Sequence, residues 1–450
     1  MLMHMKEFSR KLNSGRKLRD ISQRFQRWTD ARSFSIQLIS IIVFRVALDL
    51  VYAISMVQYY SYMKFTMDFN IVRYLLSWLA LICLSPFVAH MAEDYRPSGI
   101  LCTFISTIYF IPLTSYYGLC GAPLPFFVVA ILYWGLLVLL QRFIPSLALA
   151  PLQTRHVTVL EWILTIGSVL FVLYISGKYT GFRITLDIIN VYEIRAEAAE
   201  YPIPTVLAYI LSVMPVILAL LVMRWIARKN IPVLLVLVVT YIFLFSIAAQ
   251  KSVFFFLALT LVGSLLYRHI FLQWHRIILS VAAIFSIFCH LVLGNIYLVA
   301  YLFNRLMYLP IQISVQIFEL SRESPLSLFR DFFLDKFGFS PLYSAPIPRI
   351  VGEYRGYMTQ NANNGLLGDL FINLPIPLGL FLMPLILIGC FRLLDMCATR
   401  VSEKYSAVIC VYFAVAFTNG SWSTMLLSGG FLLVSVLLYV LFNDERNKMI

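Results

Sequence analysis

The chain alternates apolar runs long enough to cross a bilayer with shorter polar breaks. About 20 mostly apolar residues span the hydrocarbon core as one helix. Twelve segments approach that length: 34–56, 71–89, 98–114, 123–141, 158–177, 204–223, 231–249, 252–267, 277–298, 366–389, 405–419 and 423–442. On one side of this pattern two breaks stand out, 178–203 and 299–365. Loops beyond about 15 residues are usually functional or disordered, and the longer break carries its own periodicity. "IQISVQIFEL" (311–320) has amphipathic spacing, and Ser324-Pro325 opens "PLSLFRDFFLDKF" with a capping residue and a first-turn proline. Phe329, Phe332, Phe333 and Phe337 fall on one helical face. The spacing predicts two short helices lying on the outer membrane surface or on the bundle. The sequence shows no internal repeat.

Composition turns this pattern into a class. At 61% hydrophobic and 13% charged residues, the 450-residue chain is expected to be an all-α polytopic membrane protein. Its first 33 residues hold nine Lys/Arg against three acids and no apolar core for a signal peptidase. They are expected to stay cytoplasmic. With both termini inside, the cytoplasmic segments carry 22 of the 35 Lys/Arg, which fits the positive-inside rule. Topology therefore explains the net charge of +13 better than nucleic-acid binding does. The predicted organisation is a basic segment 1–33, nine helices over 34–298 with the outer loop 178–203, a large outer loop 299–365, three helices over 366–442 and a cytoplasmic tail 443–450. Of the seven cysteines, Cys83, Cys102, Cys289, Cys390 and Cys410 lie in apolar runs, Cys397 in a predicted cytoplasmic loop and Cys120 outside. That distribution offers neither a disulfide framework nor a zinc spacing.

Charges inside or beside the apolar runs are the chemical candidates. Arg45 and Asp49 share a helix face within the first run. They form either an ion pair that fixes packing or the lining of a headgroup pocket. The shorter outer loop holds Arg183, Arg195, Asp187, Glu193, Glu197 and Glu200; on a helix over 190–199, Tyr192 would neighbour Arg195 and Glu193 would neighbour Glu197. Such a helix is either a solvated amphipathic face or a phosphate clamp, the chemistry to which guanidinium is suited. Lys251 in "AAQKSVFFF" either snorkels or contacts ligand. The long loop adds Arg305, Arg349, Glu353 and Arg355 with Tyr343, Tyr354 and Tyr357 interleaved. Rings beside hydrogen-bonding charges suit a carbohydrate, and equally the aromatic belt of any membrane protein. At the border "QNANNGLLGD", Asn361, Asn363 and Asn364 either cap a helix or bind sugar hydroxyls, and Asp369 lies in the first helical turns, where the dipole favours its ionised form. The six histidines are cytoplasmic or intrahelical, so a general base is expected to be an outer carboxylate.

At these residues the sequence resembles the bacterial O-antigen and oligosaccharide repeat-unit polymerases, the Wzy family. The likeness runs through "RVALDLVY", "FTMDFNIVRYLLSW", "VYEIRAE", "QKSVFFF", "FNRLMYLP", "NANNGLLGD" and "SWSTMLLSGG", in that order. It implies a GT-C-like glycosyltransferase of the bacterial inner membrane, with its active site facing the periplasm and no metal or other cofactor. Such an enzyme moves a growing glycan from undecaprenyl pyrophosphate to the non-reducing end of the next lipid-linked repeat unit. It also implies a chain-length-regulating co-polymerase as partner, besides the membrane lipids. One departure stands: the Arg-x10-Gly pattern that some members carry in both large loops is missing from the shorter one, where no glycine occurs between Gly181 and Gly263. Within this reading Arg195, Arg305, Arg349 and Arg355 divide between two lipid pyrophosphates, with Arg183 and Lys251 as further cations. Tyr192, Tyr354, Asn361, Asn363 and Asn364 contact glycan, and Asp369, Glu353 and Glu197 are the candidate bases. Two rivals remain, an O-antigen ligase, whose expected long-loop histidine this chain lacks, and a lipid-linked oligosaccharide flippase, whose expected repeated halves it lacks.

Overall fold

The computed structural model describes residues 32–150, 157–185, 191–248, 250–332, 334–356, 362 and 365–442. The expectations for the basic N-terminal segment up to residue 31, the tail from 443, Phe333, Tyr357, Asn361, Asn363 and Asn364 lie outside these residues, as do the side chains of Tyr192 and Glu193. Among the described residues every regular element is helical.

The first rod, α1, runs Ser33–Val51 and continues through a π-helical turn at Tyr52–Met56. It is followed by α2 (Ile71–Met91), whose N-cap Asn70 accepts from the amides of Val72 and Arg73. The third rod, α3, begins at Pro97–Ile105, passes through π-helical Ser106–Phe110 and ends with Ile111–Cys120. Next come α4 (Leu124–Phe143), α5 (Val157–Thr180), the short α6 (Val191–Ala199), α7 (Thr205–Ala227), α8 (Ile231–Ala248), α9 (Lys251–Leu266) and α10 (Ile270–Leu293). A third π-helical stretch, Val299–Tyr308, leads into α11 (Leu309–Glu323), and α12 (Ile347–Tyr354) and α13 (Leu367–Asn373) complete the long connection. The chain closes with α14 (Ile376–Cys397), α15 (Glu403–Asn419), α16 (Trp422–Leu426) and α17 (Phe431–Phe442).

Nine helical stretches among the described residues are long and apolar enough to cross a membrane: α1 extended to Tyr59, α2, α3, α4, α5, α7, α10, α14, and α16 with α17. Of the remaining expected spans, Ile231–Ile247 and Lys251–Leu266 are apolar but shorter, and α15 has 17 residues with Glu403 in its first turn. Several rods present apolar residues outward, such as Leu75, Leu79 and Ile82 on α2 and Val281, Phe285 and Phe288 on α10. A soluble fold would bury such stripes; a bilayer solvates them. The chain is thus a helical, membrane-embedded protein.

The buried apolar residues fall into two clusters. The larger draws on α1–α4, on one side of α7, on Phe256 of α9 and on the chain from α10 onward, with α3 enclosed at its centre. The smaller joins α5, α7, α8 and the start of α9. Polar contacts define two ends. At one end Ser98 and Arg392 meet Asp395, Glu161 meets Arg224 and Arg228, and His269 meets Glu403. At the other, Gln312 reaches the Met63 carbonyl, Lys251 reaches Tyr301, and Asp369 reaches Trp422. The long connection from 294 to 375 belongs to this second end.

Local structure departs from the sequence pattern in three places. Leu309–Glu323 contains the expected amphipathic helix, but the second helix predicted from Ser324-Pro325 does not form. Ser324 is extended, and the Ser327 and Asp331 side chains take the local amides: Asp331 accepts from Leu342 N and Tyr343 N at 2.8 Å each, and from the Ser327 hydroxyl at 2.7 Å. Side chain to backbone bonds of this kind compete with the helical ladder, and only Leu334–Phe337 makes a single 3-10 turn. The segment predicted as one helix over 366–389 is two, α13 and α14, because Pro375 and Pro377 cannot continue the hydrogen-bond ladder of α13. Finally, His275, expected in a cytoplasmic loop, is buried inside α10, and Cys397 is buried in the last turn of α14.

Candidate functional site

The polar side chains at the long-connection end gather around α11. Its polar residues Gln312, Gln316, Glu319 and Glu323 recur at helical spacing, and its other face is buried in the larger core. Gln312 is pinned from both sides. Its Nε2 donates to the Met63 carbonyl at 2.5 Å, and its Oε1 accepts from Arg355 Nη2 at 3.3 Å. The first contact ties α11 to the turn after α1, where Lys64 adopts a left-handed backbone (φ 67°). The second ties α11 to the residue that ends α12.

Glu319, two turns along the same helix, is half-buried within electrostatic reach of Lys64. Burial raises its carboxyl above the usual range, Lys64 pulls it down and Glu323 pushes it up. Tyr116, near the end of α3, lies within electrostatic reach of both Glu319 and Arg355. Tyr354 lies within reach of Glu319 and Glu323, and burial and both carboxylates raise its phenol. One guanidinium, one ammonium, one partly desolvated carboxylate and two tyrosines therefore gather at this end of the bundle. Exposed rings at the same end, Tyr62 and Tyr301, add flat surface.

This arrangement has the chemical elements of anion binding with acid–base catalysis. Arg355 and Lys64 supply positive charge for a phosphate. A carboxylate whose affinity for protons is raised by burial suits proton abstraction from a hydroxyl. Among the described residues no three His, Cys, Asp or Glu side chains gather into a group that could hold a metal.

The sequence-predicted residues are distributed unevenly around this centre. Arg355 and Tyr354 belong to it. Arg349 and Glu353 form an exposed ion pair one turn earlier, at 3.2 Å. Arg305 is exposed on the π-helical stretch beside Tyr301 and Asn304. Lys251 donates to the Tyr301 hydroxyl at 3.2 Å and lies over its ring, joining the smaller cluster to the larger at this end. Arg183 and Glu197 pair at 2.8 Å, with Tyr201 donating to the same carboxylate at 2.6 Å. These bonds hold the Glu197 carboxyl below its ordinary range. This group sits over the smaller cluster, as does α6 with the exposed Arg195. The expected clamp residues thus divide between the ends of two helix clusters.

Asp369 is the main correction. The expectation of an ionised carboxylate at a helix start assumed an exposed terminus and a long helix. The residue is 1% exposed in a seven-residue helix, and one oxygen accepts from the Trp422 amide at 2.6 Å. Burial pushes its carboxyl up to about 8, against the smaller lowering by that hydrogen bond. Asp369 fastens α13 to the turn before α16. Gly365 supports the same joint, since any Cβ there would strike the carbonyl oxygens of Gly420 and Phe417. At the opposite end of α13, Asn373 accepts from the Phe329 amide at 3.0 Å and donates to the Asp369 carbonyl.

The Arg45–Asp49 pair is real and enclosed. Arg45 also donates to Thr114 and Ser77 at 3.0 Å each, and Asp49 accepts from Ser115 at 2.6 Å and Tyr74 at 3.0 Å. Its partners come from α2 and α3, so it fixes three rods together. Sequence reasoning missed Glu319, Gln312 and Lys64. The polar recurrence 312, 316, 319 and 323 on α11 was the available signal.

The chain matches no family model, no curated protein and no solved structure.

Proposed function

We propose that the chain is a membrane glycosyltransferase, an oligosaccharide repeat-unit polymerase of the kind its sequence resembles, working where the long connection meets the outer leaflet. In this reading there are twelve spans in a GT-C-like arrangement, both termini are cytoplasmic, and the substrates are undecaprenyl-pyrophosphate-linked oligosaccharides. The observation that carries it is the meeting of Arg355, Gln312, Lys64 and the half-buried Glu319 at one end of a membrane-embedded bundle.

The transfer balances with groups of this kind. The acceptor sugar hydroxyl oxygen attacks the anomeric carbon of the donor glycan. The bond from that carbon to the pyrophosphate oxygen breaks, and its electron pair leaves with the pyrophosphate. The hydroxyl proton passes to a carboxylate. Fixed cations stabilise the charge that grows on the leaving group, and Arg355 and Lys64 fill that role. Glu319 joins Asp369, Glu353 and Glu197 as a candidate base and ranks above them, because Asp369 is enclosed and bonded to the Trp422 amide, and Glu353 and Glu197 are already held in ion pairs with Arg349 and Arg183.

Purified protein given synthetic undecaprenyl-pyrophosphate repeat units should build a ladder of products differing by one repeat. Clean protein that translocates labelled lipid without forming any ladder would overturn the enzyme reading in favour of a transporter.

A further inference from the structure

A second charged site lies at the opposite end of the bundle and is independent of the glycan reading. The turn Ala92–Arg96 connects α2 to α3, and beside it α2 and α4 leave a cleft of about 220 Å³. Met91 and Val138 form its buried floor. Phe87 and Leu139 line its apolar side and are 45% and 41% exposed. Phe143, one turn beyond Leu139 on the same face of α4, is also exposed. His90, Glu93, Asp94, Arg96, Gln141 and Arg142 supply its polar lining.

The charges in the lining are not equivalent. Asp94 is fully engaged: Arg96 grips it through Nε at 2.8 Å and Nη2 at 2.7 Å, and Gln141 donates to it at 2.6 Å. Arg96 also donates to Ser146 at 2.7 Å. This pair neutralises itself and braces the turn against α4. Two charges are left over. Arg142, in the last turn of α4, makes no side-chain hydrogen bond or ion pair among the described residues. Glu93 has only His90 as a side-chain polar partner among the described residues, at 3.3 Å. The cleft therefore offers one cation and one carboxylate, with no net charge, at the edge of an apolar face.

We propose that this cleft binds a zwitterionic phospholipid carrying a primary ammonium, a phosphatidylethanolamine, in the leaflet at this end of the bundle. Arg142 takes the phosphate, since guanidinium matches phosphate oxygens. Glu93 accepts a hydrogen bond from the ammonium. The cleft is too small for acyl chains, which lie outside it along Phe87, Leu139 and Phe143. A net anionic headgroup leaves Glu93 facing negative charge. A trimethylated headgroup fills the same space but has no N–H to donate.

The test uses the full chain in detergent, titrated with dioleoyl-phosphatidylethanolamine, -phosphatidylcholine or -phosphatidylglycerol and read by native mass spectrometry. Wild-type protein should retain the ethanolamine lipid about fivefold over the other two, a modest gain for a part-exposed charged hydrogen bond. Glu93→Gln should erase that preference, and Arg142→Ala should lower retention of the ethanolamine and choline lipids alike. A variant-free check is the series of N-methylated ethanolamine lipids, whose retention should fall with each methyl group. Equal retention of ethanolamine and choline lipids by wild type, a preference for phosphatidylglycerol, or a preference that survives Glu93→Gln would each overturn the proposal. So would displacement by soluble glycerophosphoethanolamine at the lipid's own concentration, which would mark a soluble-ligand site.

Discussion

Arg355 Nη2 donates to Gln312 Oε1 at 3.3 Å, and this one bond joins the end of α12 to α11 across 43 positions of sequence. Because Gln312 is itself held on the Met63 carbonyl, the bundle takes part in positioning the guanidinium. A cation placed in this way stabilises developing charge without reorganising at the moment of reaction.

For Arg355 the expected outcome is a severe loss of product. Arg355→Ala should cut ladder formation by roughly 10²-fold, the usual scale for one preorganised donor to a developing oxyanion. Arg355→Lys should recover little, because an ammonium cannot reproduce the planar fork. Arg349→Ala, which breaks only an exposed pair, should stay within about threefold of wild type. The assay is ladder formation by purified protein at matched expression.

Glu319 gives a prediction in pH. Burial raises its carboxyl, so the ionised base forms only above the ordinary glutamate range, and the acid limb of the pH–rate profile should lie correspondingly high. Lys64 works against burial at this carboxyl. Lys64→Met should therefore move the acid limb further up, and Glu319→Gln should remove it together with about 10²-fold or more of the rate. A limb that stays in place in Lys64→Met would separate Glu319 from the reaction.

Asp369 gives a prediction in stability. Its carboxyl is pushed up to about 8 by burial, whereas in an unfolded chain it titrates near the ordinary aspartate value of 3.8. Between these values the folded state holds a proton that the unfolded state has released, so stability is fully present below the lower value and declines as pH rises toward 8. Asp369→Asn keeps an oxygen to accept from the Trp422 amide and has no charge to bury. It should unfold at a higher temperature than wild type above pH 7, with a shallower dependence on pH. Thermal unfolding of the purified protein between pH 5 and 9 reads this directly. Retained ladder formation in the same variant would remove Asp369 from the candidate bases.

The part of this structure that was legible beforehand is the part written in apolar run length. Nine of the twelve expected spans, the pairing of Arg45 with Asp49 and the amphipathic helix beginning at Leu309 follow from periodicity and from the cost of charge in a bilayer. Two of the failures were at Ser324–Phe337 and Asp369. In the first, four phenylalanines at helical spacing gave a helical signal, but Ser327 and Asp331 captured the backbone amides. In the second, the dipole argument concerned an exposed helix end, and α13 is short and enclosed. Glu319 was overlooked because its neighbours come from distant segments, Lys64 after α1 and Tyr116 in α3. Only the fold brings them together.

The Arg45–Asp49 pair tests whether an intramembrane charge fixes packing or serves the reaction. Arg45 is fully enclosed and its acid is 13% exposed, so deleting one charge strands the other. Asp49→Asn alone should therefore destabilise by roughly 3–5 kcal/mol, the scale for breaking a buried pair by removing one partner. The double variant Arg45→Gln with Asp49→Asn discards both charges and keeps donors and acceptors for Thr114, Ser77, Ser115 and Tyr74. It should recover most of that loss, because neither remaining group carries an uncompensated charge. If the pair only fixes α1 against α2 and α3, the double variant forms product ladders at close to the wild-type rate once it is folded. If the pair lines a headgroup pocket, stability returns and the rate does not. Thermal unfolding and ladder formation measured on the same preparations separate the two outcomes.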